Sequence, residues 1–168
     1  MNTVKIEFLV EDKRWTKFIE IADLEALAKK ILSSLVKLLG FDTRKGTILE
    51  MTIMLTNDRK ISSLNRKYRH IDRPTDVLSF PIYEKEFGKY FGKEKCMLLG
   101  DIVISLETLK NESSRQGKSF RDHLAHLTTH GILHLMGFDH TKPTDAKRMV
   151  SIETLLLHKA DLAGRTRH

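Results

Sequence analysis

Residues 119–140 read SFRDHLAHLTTHGILHLMGFDH. Ser119 followed by Asp122 resembles a capping box, with Asp standing where Glu is more usual. A helix is therefore expected from here to about Met136. At 100° per residue, His123, His126, His130 and His134 fall within an arc of about 80°. Neutral imidazoles on a buried helix face each require a hydrogen-bond partner or a metal. Asp122 and Arg121 look solvated, which puts His123 at the periphery. His126 reads as a core residue or as a support for a neighbouring ligand.

Residues four apart lie one turn apart, so two imidazoles can converge on a centre about 2.1 Å from each nitrogen. His126, His130 and His134 together span about 12 Å of helix, too far for all three to hold one ion. The pair His130 and His134 is favoured because Gly137 comes next, at a place where a helix can stop and turn into the left-handed region. That turn brings His140 back towards the pair. The spacing H-x3-H-x5-H gives three neutral histidine ligands and one open position, which describes a catalytic zinc site with one ion per chain.

The same spacing occurs in the protease pattern H-E-x-x-H-x-x-G-x-x-H, but Gly131 stands where those enzymes carry the glutamate base. A zinc peptidase is disfavoured on that ground. Gly131 suits close packing instead. Asp139, the nearest carboxylate in sequence, either orients a ligating imidazole through its outer nitrogen or caps the residues after it.

Outward from this segment, residues 3–10 (TVKIEFLV) read as a strand. Residues 23–39 read as an amphipathic helix, with Leu24, Leu27, Ala28, Ile31, Leu35 and Leu38 at helical spacing, Asp23 capping its start and Gly40 its end. TILEMTIML over 47–55 suits a buried central strand. Asn57 or Asp58 can cap a helix carrying Ile61, Leu64 and Tyr68. Pro74 marks a turn, and Val77 to Pro81 is a strand whose proline suggests its end or an edge position. Residues 82–97 are polar, basic and aromatic, and read as a loop or irregular excursion. Leu98 to Ile104 is a further strand, and helices fill the rest. Strands interleaved with helices indicate α/β or α+β, with about four strands.

The 168 residues are 40 % hydrophobic and 30 % charged, with a formal net charge of +7. This composition fits one ordinary globular domain and argues against disorder. No apolar run approaches the roughly 18 residues that span a bilayer, so no membrane partner is expected. Glu7, Glu11 and Asp12 interrupt the N-terminal apolar stretch, unlike a secretory signal. A single cysteine, Cys96, leaves no intrachain disulfide and fits a reducing, cytoplasmic setting. The basic surplus favours polyanionic partners such as nucleic acid.

HGILHLMGFDH over His130–His140 resembles the H-G-x-L-H-L-x-G-[YF]-D-H motif of the YbeY family, bacterial endoribonucleases of ribosomal RNA maturation. Leu64-Asn65-Arg66-Lys67-Tyr68-Arg69, followed by Thr75-Asp76-Val77-Leu78-Ser79-Phe80-Pro81, is similar to the family's LN-x-x-YR and T-[DN]-VLSFP stretch. Leu99-Gly100-Asp101-Ile102-Val103-Ile104-Ser105 is similar to its LGDI-x-IS strand. The blocks run in family order from Leu64 to His140; residues 1–60 and the C-terminal helix match only in layout. The 82–97 segment is basic here, where relatives are often acidic.

The resemblance implies a single α+β domain over residues 1–168; the sequence leaves open whether the tail at 161–168, with Arg165 and Arg167, is ordered or disordered. The resemblance also implies a mixed sheet of about four strands packed with about five helices, and a zinc ion held on a central helix by His130, His134 and His140. Arg69 carries over as a functional residue of the cleft, there to contact phosphate or offset transition-state charge. The implied activity is single-strand-specific RNA cleavage by zinc-activated water, in ribosomal RNA processing and ribosome quality control, with no protein base identified. Arg66, Lys67 and Arg73 are placed to track the RNA backbone. The implied partners are ribosomal RNA and the small ribosomal subunit. The rival reading is a ribosome- or RNA-binding assembly factor whose zinc is structural.

Overall fold

The computed structural model describes residues 3–165. Strand β1 (Thr3–Val10) leads through a 3-10 turn to helix α1 (Ile21–Leu38) and then to β2 (Ile48–Thr56). Helix α2 (Asp58–Arg69) precedes β3 (Val77–Pro81), and a single-turn helix α3 (Phe87–Tyr90) precedes β4 (Cys96–Ser105). Helices α4 (Leu106–Arg115), α5 (Phe120–Leu135) and α6 (Pro143–Arg165) complete the chain.

The sheet order is β1-β2-β4-β3, with β3 antiparallel to β4 and the other pairs parallel. This is the α+β arrangement with a mixed four-stranded sheet that the sequence implies, and the five longer helices match in number. The apolar run at 48–56 is the interior strand β2. Its alternate residues Leu49, Met51, Ile53 and Leu55 are fully buried against α1 and α5 in the main core. The opposite face, around Met54, packs under α2 through Ile61, Leu78 and Val103. Pro81 closes β3 at the edge of the sheet, where a missing N–H is tolerated.

Two local expectations change. Helix α1 begins at Ile21 with Glu20 at its N-cap, so Asp23 lies inside the first turn and does not cap; its carboxylate suits the helix dipole there. The 82–97 segment is not simply a loop. It folds into a 3-10 turn and α3, and Phe87 is buried among Phe41, Tyr83 and Phe91. One large aromatic side chain anchors an otherwise polar stretch, because its burial outweighs the polarity of its neighbours. The backbone of α6 continues helically to Arg165, and residues 166–168, the end of the 161–168 tail whose order the sequence leaves open, lie outside the described residues.

Candidate metal centre

Helix α5 starts as its sequence suggests: the Ser119 hydroxyl accepts a hydrogen bond from the Asp122 N–H at 3.0 Å. Its other end is a Schellman turn. The Phe138 N–H donates to the Leu133 carbonyl at 3.0 Å and the Gly137 N–H to the His134 carbonyl at 3.1 Å. Gly137 has φ +94°, and a Cβ there would stand 2.4 Å from the Glu84 carbonyl oxygen. Glycine is thus required twice over, by the left-handed backbone and by the 82–97 segment that backs the turn.

This turn returns His140 to the helix pair. One ring nitrogen from each of His130, His134 and His140 lies within 4.8 Å of the others, and the Nε2 atoms of His130 and His134 are 3.1 Å apart. Nitrogens about 2.1 Å from a tetrahedral ion stand roughly 3.4 Å apart, so the cluster fits zinc with small adjustments. Burial, followed by the neighbouring His130 and His140 rings, brings the His134 imidazole down to about 4. A ring that stays neutral at pH 7 is ready to ligate.

Sequence reasoning missed Glu153 on α6. Its carboxylate is buried and touches two rings: Oε1 contacts His126 Nδ1, and Oε2 lies 3.5 Å from His130 Nδ1. Burial pushes this carboxyl up, but the hydrogen bonds from His126 and then His130 outweigh it and bring it down to about 2. A carboxylate at Nδ1 favours the proton there and leaves the Nε2 lone pair of His130 facing His134, the arrangement a ligand needs. His126 therefore stands beside the centre through Glu153. The only sequence signal was Glu153 on the apolar side of the last helix.

Asp139 accepts the His140 N–H at 2.7 Å and the Thr141 hydroxyl at 3.0 Å. It thus ties down the loop that carries His140, as the capping alternative has it. Gly131 faces the sheet, where a Cβ would stand 2.9 Å from Ile102 Cδ1. No glutamate can occupy that position without displacing β4. His123 is the clear correction: it is not peripheral but 2 % exposed, with Nε2 2.9 Å from Glu112 Oε2. Helix α4, packed over α5, covers it, although its sequence neighbours Arg121 and Asp122 are exposed.

A cleft of about 850 Å³ opens in front of the three histidines. Arg69, at the end of α2, lines the same cleft and donates from Nη2 to the Ser79 carbonyl at 3.2 Å. Arg73 and Arg115 also line it. Arg66 and Lys67 are exposed outside the lining; Arg66 pairs with Asp72 at 3.8 Å, and the Lys67 ammonium lies over the Tyr68 ring. The combination of three convergent imidazoles and cations lining the same cleft can bind a metal and a phosphate in one depression.

Comparison with known proteins agrees with this geometry. A family model described as Endoribonuclease YbeY matches residues 9–161. A protein of Azorhizobium caulinodans named Endoribonuclease YbeY is 39 % identical over 155 residues, covering 92 % of this chain and 91 % of its own. One of the same name from Sinorhizobium fredii is 34 % identical over 166 residues, covering 97 % and 92 %. The solution structure of TM1509 from Thermotoga maritima superposes with a TM-score of 0.61 at 27 % identity, covering 96 % of this chain and 93 % of that one.

Proposed function

The chain belongs to the YbeY endoribonuclease family, and from that premise we propose that it is a zinc-dependent endoribonuclease. It cleaves single-stranded RNA during ribosomal RNA processing and ribosome quality control. The whole chain acts as one domain in the cytoplasm, with ribosomal RNA and the small ribosomal subunit as partners. No helix among the described residues is long and apolar enough to cross a membrane.

The observation that carries this reading is that Arg69 and the clustered His130, His134 and His140 line one and the same cleft. These histidines would hold the ion, and zinc supplies Lewis-acid chemistry at neutral pH, through a more acidic water and a polarised phosphoryl oxygen. Arg69 binds the scissile phosphate and offsets the charge that develops on it. Arg73 and Arg115 extend the cationic wall along the strand. Glu153 holds the proton on His130 Nδ1, and Asp139 fixes the His140 loop.

Wild type and His134→Ala, purified in parallel, test the reading on single-stranded RNA. Cleavage by the wild type and its loss in the variant, with the fold retained, is the expected result. Equal cleavage by both points to a contaminant. Zinc-dependent stability without turnover in either favours an assembly factor with structural zinc.

A further inference from the structure

We propose that Asp76, Glu112 and His123 form a second divalent-cation site in the cleft, separate from the three-histidine centre and suited to an ion such as Mn2+. One potential ligand atom from each residue lies within 4.8 Å of the other two. The turn before β3, helix α4 and helix α5 supply one residue each. Asp76 and Glu112 both line the cleft. The Asp76 carboxylate is fixed in advance, because its Oδ1 accepts the Val77 N–H at 2.8 Å and the Thr75 hydroxyl at 3.3 Å.

The set is more than an acidic patch. The His123 side chain is 3 % exposed and joined to Glu112, while its Nδ1 is buried with no hydrogen-bond partner. Burial raises the Glu112 carboxyl, His123 draws it down, and the adjoining Asp76 carboxylate raises it again, with a net upward shift. Among the described residues, neither carboxylate is ion-paired with a Lys or Arg. As ligands, two carboxylates and one imidazole would present two negative charges, which a divalent cation balances. Two oxygens and one nitrogen suit Mn2+ better than ions that take oxygen alone.

The position defines the role. His123 lies seven residues before His130, about 10 Å along α5. Ions that act together in a two-metal centre stand about 3.5–4 Å apart. The second cation therefore does not share the scissile phosphate. It converts an anionic stretch of the cleft into one that receives a further phosphate of the strand. That last role rests on the nuclease reading; the cation site does not.

The test is titration of the zinc-loaded full chain with Mn2+, followed by electron paramagnetic resonance of the free ion. One Mn2+ per chain beyond zinc is expected. Glu112→Gln and Asp76→Asn should each weaken it about tenfold or more, since charge count sets affinity at such sites. His134→Ala should keep it. Both carboxylate variants are nearly isosteric, and unchanged circular dichroism in either one suffices to separate a lost ligand from a lost fold. No Mn2+ bound to the wild type would overturn the site and leave Asp76 and Glu112 as a proton-sharing pair. So would Mn2+ that disappears with His134→Ala and survives Glu112→Gln. RNA cleavage measured on the same samples keeps the two readings apart: Mn2+ bound at the pair in a protein that cleaves nothing upholds the site and removes the nuclease.

Discussion

Glu153 of α6 places Oε2 3.5 Å from Nδ1 of His130 on α5, the side of the ring opposite the one that faces His134. One carboxylate from the C-terminal helix thus sets the tautomer of a candidate ligand and ties α6 to the centre. Its other oxygen is engaged by His126.

Glu153→Gln should lower zinc affinity by about 10–100-fold, the usual effect of losing a carboxylate behind a ligating histidine. Competition with a chromophoric chelator measures it directly. Unchanged affinity in a folded variant would separate Glu153 from the centre.

Arg69→Ala should reduce RNA cleavage about a hundredfold, in the range seen when one electrostatic donor is removed from an active site. The side chain is exposed, so stability should change by less than about 0.5 kcal/mol. Zinc content should stay at one per chain. A variant that cleaves at the wild-type rate would show that Arg69 only fastens the Ser79 carbonyl.

Gly131→Ala should destabilise the protein by about 1–3 kcal/mol, because the added methyl meets Ile102 side-chain atoms at 2.9–3.1 Å. Melting should fall by roughly 5 °C. Thermal unfolding that matches the wild type would mean β4 yields freely at this contact.

Acid should weaken the metal-free protein through His134. Its folded value of about 4 lies below the ordinary 6.5 because of burial, then His130 and His140. Between those values the unfolded chain holds a proton that the folded chain lacks, so stability is lost as pH falls from 6.5 towards 4. Urea midpoints at several pH values should show a steeper decline for wild type than for His134→Gln. Parallel declines would remove His134 as a contributor.

Much of the centre was legible in the residue order. The helical spacing of His130 and His134, the glycine at 137 and the histidine at 140 describe local geometry, and local geometry is what periodicity and turn chemistry encode. The interior strand at β2 and the edge strand ending at Pro81 are likewise written in β-branched apolar runs and a missing N–H.

What only the tertiary structure decided was which distant groups meet. Glu153 lies 23 positions after His130 and Glu112 lies 11 before His123, and helix packing alone brings each pair together. His123 looked solvated from its neighbours and is buried because α4 covers it. The 82–97 segment looked like a free excursion, yet Phe87 anchors it and its Glu84 carbonyl presses on Gly137. Periodicity states which face of an element is apolar; it does not say what the fold lays against that face.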